Sequence, residues 1–137
     1  MILLSLAAAT VFAAAAVTDI RARRISNALV LVLALAGVLR MAIEGGPVLA
    51  DLGVALAIFA AGIWAFHFGA FGGGDVKLLA AGALWTGAAG VATFLMVTAL
   101  AGGALALGFL LAGRRRASLP YGVAIAVGGM VVTAGRA

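Results

Sequence analysis

Charged residues punctuate an otherwise apolar chain. Residues 1–18 carry no charge before Asp19, and Asp19-Ile20-Arg21-Ala22-Arg23-Arg24 follows as a short basic loop. Residues 28–43 are apolar except for Arg40. Glu44-Gly45-Gly46-Pro47 reads as a turn, and Asp51 closes that loop. Residues 52–68 are apolar apart from His67. Gly69-Ala70-Phe71-Gly72-Gly73-Gly74-Asp75-Val76-Lys77 is too rich in glycine for a good helix interior. The uncharged run from Leu78 to Gly113 is too long for one span, and Gly87-Ala88-Ala89-Gly90 is its most turn-like stretch. Arg114-Arg115-Arg116 ends that run, and Pro120 opens a last apolar segment, 121–135. The pattern predicts six helices, over 2–18, 28–43, 52–69, 74–87, 90–112 and 121–135.

Composition decides what kind of helices these are. Of 137 residues, 66% are hydrophobic and 9% charged, against about 25% charged in a soluble domain. Too little polar surface remains for a water-soluble protein, and the chain is too hydrophobic for disorder. The expectation is an all-α polytopic membrane protein with six transmembrane helices, forming one domain over residues 1–137. Several of these helices are shorter than the roughly 20 residues of a full span, so their ends should lie near the headgroups. Small-xxx-small pairs such as Gly69/Gly73, Ala104/Gly108 and Ala124/Gly128 read as helix packing. No internal repeat suggests an inverted-repeat transporter. Cysteine is absent, which excludes disulfides, thiolate zinc sites and a thiol nucleophile.

Charge then sets the topology. The net charge is +5, but no basic stripe alternates with aromatics, so nucleic acid is not an expected partner. Six crossings put the loops at 19–27, 69–77 and 113–120 on one side. That side holds Arg21, Arg23, Arg24, Lys77, Arg114, Arg115 and Arg116, and the other holds Arg40 and Arg136. The first side is expected to be cytoplasmic and both termini external. The first apolar run is read as a helix with an external N-terminus, not a cleaved signal, because its basic residues follow the apolar core.

Four acidic residues are present. Glu44 and Asp51 read as solvated loop charges. Asp19 and Asp75 differ, because each lies at the cytoplasmic end of an apolar helix, where a carboxylate is costly and marks a candidate site. Two carboxylates at one depth can meet in a bundle. Close together they cannot both stay ionised, and they titrate as a pair. One can then act as general base on water while the other donates to a carbonyl oxygen. Three readings stay open on the residues alone: this catalytic pair, an ion pathway, and structural roles. In the last, Arg21 and Arg23 neutralise Asp19, and Asp75 caps a helix.

The G-x-G-D pattern of Gly72-Gly73-Gly74-Asp75 adds weight to catalysis. Bare glycines let an extended peptide or a neighbouring helix approach the backbone closely. A phosphate loop is not supported, because GK[ST], G-x-G-x-x-G and a preceding strand are all lacking. His67, the lone histidine, cannot build a metal site without partners. Lys77 is placed to steady Asp75 or to snorkel to lipid phosphates. Trp64 and Trp85 read as packing or interface residues, and Arg114 to Arg116 as topogenic.

Three stretches resemble the type IV prepilin peptidases, intramembrane aspartic proteases of the G-x-G-D class. Asp19-Ile20-Arg21-Ala22-Arg23-Arg24-Ile25-Ser26-Asn27 is similar to the family's first Asp motif. Phe71-Gly72-Gly73-Gly74-Asp75-Val76-Lys77-Leu78 matches its second, with the lysine in place. Leu119-Pro120-Tyr121-Gly122-Val123-Ala124-Ile125-Ala126 resembles the Pro-aromatic-Gly start of its last helix. Position 26 is Ser where many relatives carry Pro.

The resemblance implies a bacterial inner-membrane endopeptidase that removes the short basic leader from prepilins and pseudopilins at the cytoplasmic face, cutting after a Gly. Asp19 and Asp75 would activate water and protonate the amide, and Gly72, Gly74 and Lys77 are the candidate substrate-binding residues. No metal and no cofactor is expected. The paired-CxxC zinc insert of long, methylating members has no counterpart here. The chain therefore resembles the short form of tight-adherence (Flp) pilus systems, which puts methylation in doubt. The alternatives are a small proton-coupled transporter or channel subunit using the same carboxylates, and a structural subunit of a secretion machine. The sequence leaves the pilin partner and the oligomeric state undetermined.

Overall fold

The computed structural model describes residues 1–114 and 119–136; the expected topogenic Arg115 and Arg116 lie outside the described residues. Five helices follow in order: α1 (Ile2–Ala22), α2 (Asn27–Glu44), α3 (Val48–His67), α4 (Gly73–Leu111) and α5 (Tyr121–Arg136). No strand occurs among the described residues. α1 to α4 are long and apolar enough to cross a membrane, while α5 has 16 residues.

α4 is not one straight rod. Gly87 takes φ 70° and ψ 175°, outside any helical geometry, and it is the first residue of the Gly87–Gly90 stretch marked as turn-like. The halves on either side pack on each other: a Cβ on Gly82 would stand 2.6 Å from Phe94 Cζ. Val132 lies beside Gly90, and Ala124 beside Gly102. The second half of α4 therefore runs antiparallel to α5.

The helix ends differ from the expected bounds. α1 continues to Ala22, so Asp19 sits in its last turn and not after it. The helix stops at Arg23, which adopts the left-handed conformation (φ 52°) while its N–H donates to Asp19 O. Ser26 then starts α2 by accepting the Ala28 N–H at 3.1 Å, a side-chain N-cap. α3 begins at Val48, four residues before its expected start, so Asp51 lies inside its first turn.

That shift overturns the reading of Asp51 as a solvated loop charge. Asp51 is 2% exposed. Its Oδ2 receives Arg40 Nη2 at 2.5 Å, and its Oδ1 accepts the Ala88 N–H at 2.8 Å. Arg40, 3% exposed, also donates to Leu84 O at 3.2 Å and to Glu44 Oε2 at 2.8 Å. Arg136 reaches Glu44 Oε1 at 3.1 Å and donates to Thr86 O. Glu44 is thus ion-paired twice, although it remains more exposed than Asp51. A charge this deep needs both a partner and hydrogen bonds. The partners here come from α2, α3 and α5, and they hold the freed backbone on either side of Gly87.

The core runs between this ionic cluster and the opposite end of the bundle. Phe12, Leu33, Leu78, Trp85, Phe94 and Ile125 are fully buried in it. Trp85 donates from Nε1 to Thr133 Oγ1 at 2.9 Å, so it is a core residue. Trp64 is exposed, packed edge-on against Phe68. Large apolar residues such as Leu3, Leu49 and Leu111 point outward, as expected where the solvent is lipid.

Candidate active site

The site lies at the end of the bundle opposite the ionic cluster, and it starts from two helix N-termini. The first amides of any helix lack partners within it. α5 opens just after Pro120, which has no N–H to offer. Its second residue, Gly122, donates its N–H to Asp19 Oδ2 at 2.9 Å in a buried contact. Asp19, only 6% exposed, thus joins the end of α1 to the start of α5. A Cβ at position 122 would stand 2.8 Å from Oδ2, so only glycine leaves room for the carboxylate.

Asp75 meets a helix N-terminus in another way. Gly72 is the N-cap residue, with extended backbone (φ −75°, ψ 157°), and Asp75 is the third residue of α4. Its carboxylate lies close to Gly72, 3.5 Å from where a Cβ on that residue would stand, and feels the Gly72 backbone N–H. The third helical position is the one from which a capping-box side chain leans back toward the N-cap amide. Asp75 is therefore not the N-cap residue itself. A carboxylate in this position is also favoured by the partial positive charge of the helix start.

Asp19 and Asp75 line one pocket of about 700 Å³, and the charge of Asp19 bears on Asp75. Arg23 acts electrostatically on Asp19 from the end of the same helix. Arg23 and Arg24 line the pocket together with Phe71, Gly72, Gly73, Gly74 and Tyr121. The arrangement offers two carboxylates of unequal setting, one nearly enclosed and one half-buried, above a stretch of bare backbone. Such a pair can hold a water between a proton acceptor and a proton donor.

The expected substrate-binding residues divide. Gly72 borders the pocket, and an added Cβ would have only the Asp75 carboxylate near it, at 3.5 Å. Gly74 also borders the pocket, but its Cβ position lies 3.3 Å from Ile25 Cβ, so the residue also lets α4 start close to the α1–α2 connection. Lys77 is not in this pocket. It donates to Asn27 Oδ1 at 3.3 Å and lines a neighbouring recess with Thr18 and Ser26. His67 is exposed at the end of α3, stacked edge-on with Phe68, and also lies outside the pocket.

Three contributors were not singled out by residue chemistry. Gly122 supplies a donor through its backbone, which no side-chain pattern reveals; the hint was the Pro120-Tyr121-Gly122 start of the last helix, which carried the family resemblance without a role for the glycine. Phe71 and Tyr121 form part of the wall, with rings edge to face and centroids 5.3 Å apart. Nothing in their local spacing predicts that contact across the fold.

A helical membrane chain with paired carboxylates at adjoining helix ends defines a narrow class. The chain belongs to the type IV leader peptidase family, whose sequence profile matches residues 6–107. That span holds both Asp19 and Asp75. The protein is thus a membrane protease of the prepilin peptidase type. No curated protein and no solved structure gives a significant match.

Proposed function

We propose that the chain is an aspartic endopeptidase of the inner membrane that removes the leader from Flp-like prepilins at the cytoplasmic face. One observation carries this reading: carboxylates from α1 and α4 border the same pocket as the Gly72–Gly74 backbone. Water held between the carboxylates attacks the scissile carbonyl carbon. The ionised Asp takes the water proton, and the protonated Asp gives its own to the carbonyl oxygen. Collapse of the tetrahedral intermediate breaks the C–N bond and sends a proton to the leaving amine.

The Gly122 N–H holds Asp19 in place for this step. Gly72 gives the substrate strand access to bare backbone. Gly74 serves the fit of α4 against Ile25, and Lys77 anchors that start through Asn27. We further propose six membrane crossings, with α4 counted as two spans joined at Gly87. The basic segments then face the cytoplasm and both termini the exterior.

The test is coexpression with a tight-adherence prepilin, followed by gel shift and by the mass of the released leader. Leader removal that depends on the chain supports the reading. Intact precursor with several prepilins, at good expression of the chain, would overturn it.

A further inference from the structure

Two further cavities meet at Lys77, which lines both. The first is a polar recess of about 530 Å³, lined by Thr18, Arg24, Ser26, Asn27 and Lys77 at the end of the bundle that holds the carboxylates. The second is an apolar groove of about 300 Å³, bordered by Val30 and Ala34 of α2, Leu56 and Phe59 of α3 and Leu84 of α4. α2 and α3 both pack on α4 but scarcely on each other. The groove is therefore the cleft between them, with α4 as its floor. Leu56 and Phe59 stay exposed on its rim.

Helical spacing carries one cavity into the other. Asn27, Val30 and Ala34 fall on one face of α2, and Lys77, Ala81 and Leu84 on one face of α4. Leu84 lies seven residues beyond Lys77, about 10 Å further along the helix. A polar end thus passes into an apolar cleft over a depth that begins at Lys77.

The recess is cationic. Among the described residues no carboxylate lines it, since Asp19 and Asp75 border the other pocket. Lys77 gives one of its three N–H groups to Asn27 Oδ1 at 3.3 Å. Among the described residues, no hydrogen bond or ion pair occupies the Arg24 guanidinium. The Ser26 Oγ accepts the Ala28 N–H, which leaves its O–H as a donor. Charged donors of this kind suit phosphate oxygens. The same charge repels a basic leader, so the leader does not belong here. The apolar groove in turn calls for hydrocarbon, and only an anion with a hydrocarbon tail satisfies both cavities at once.

We infer that recess and groove together bind one anionic phospholipid, its phosphate on Lys77 and Arg24 and an acyl chain between α2 and α3. The site asks more than a lysine reaching for the headgroup layer, because it pairs two cations with a chain-sized cleft. It does not depend on the peptidase reading. It does border that site, since Arg24 and Gly74 line the carboxylate pocket as well.

The test is lipid retention by the full chain, purified in a neutral maltoside and mixed with equal amounts of phosphatidylglycerol and phosphatidylcholine. Native mass spectrometry separates the adducts by mass. Wild type is expected to hold one phosphatidylglycerol in preference to phosphatidylcholine, which carries a fixed cation beside its phosphate. Arg24→Gln/Lys77→Gln should cut that preference by about thirtyfold, roughly fivefold for each cation near a headgroup. Arg21→Gln/Arg114→Gln removes the same charge from exposed positions outside both cavities and should leave the preference unchanged. Glycerol 3-phosphate, a headgroup without a chain, should not displace the lipid.

Equal retention of the two lipids by wild type would overturn the inference with no variant needed. An equal fall in both double variants would assign the preference to diffuse surface charge and overturn it too. Displacement by glycerol 3-phosphate at matched concentration would make the ligand a soluble phosphate and the groove idle, which also contradicts it.

Discussion

The Gly122 N–H donates to Asp19 Oδ2 at 2.9 Å, across 103 positions of chain. This bond ties the carboxylate of α1 to the first turn of α5, and its geometry leaves no space for a side chain at 122. Gly122→Ala is expected to push the carboxylate aside. Misplacement of a reacting group by about 1 Å costs on the order of a hundredfold in rate. Initial rates of leader removal should fall on that scale while the protein still accumulates in the membrane. A rate within a few-fold of wild type would show that this bond does not position Asp19.

Arg40 and Asp51 make the deepest ion pair, at 2.5 Å. Removing one member of a buried pair leaves the other uncompensated, at a cost of about 3–5 kcal/mol. Asp51→Ala is expected to lose stability on this scale in a reversible unfolding titration in micelles. The double variant Arg40→Met/Asp51→Leu should lose less than either single change, because no charge is stranded. Equal losses in all three would contradict the assignment.

Gly87 and Gly45 both have positive φ, at 70° and 63°. Gly45 has open space around it, whereas a Cβ on Gly87 would stand 2.8 Å from Arg40 Nη2 and 3.0 Å from Asp51 Oδ1. Gly45→Ala should cost only the backbone strain, roughly 1–2 kcal/mol. Gly87→Ala should cost clearly more in the same titration. Similar losses would mean that the ionic cluster yields to the new methyl group.

The six-crossing proposal depends on the reversal at Gly87. A reporter fused after Arg114 should read cytoplasmic, and one fused after Arg136 should read external. The proposal puts five crossings before Arg114 and six before Arg136, and the opposite result at either position would contradict that count.

What was legible in the sequence follows from how each feature is encoded. Asp19 and Asp75 stood out because a carboxylate beside an apolar run is costly, and that cost is visible locally. Gly87 stood out because a charge-free run too long for one span needs a turn. The Arg40–Asp51 pair did not, because its members lie in different helices and nothing local marks them as partners. Asp51 next to Pro47 and Gly46 looked like a loop residue, and only the start of α3 at Val48 shows it to be helical and buried. The G-x-G-D motif pointed to the pocket floor, whereas the donor from Gly122 and the Phe71–Tyr121 wall arise only when α5 docks on α1 and α4.

The central claim is that Asp19 and Asp75 act together on the scissile bond. Asparagine keeps the shape of each side chain and removes its ionisable carboxyl. The most direct measurement is leader removal from a coexpressed prepilin by wild type, Asp19→Asn and Asp75→Asn at matched expression. The account predicts processed pilin with wild type and only precursor with either variant. Mature pilin produced by either variant at a rate near wild type would contradict it, and would remove that aspartate from the mechanism.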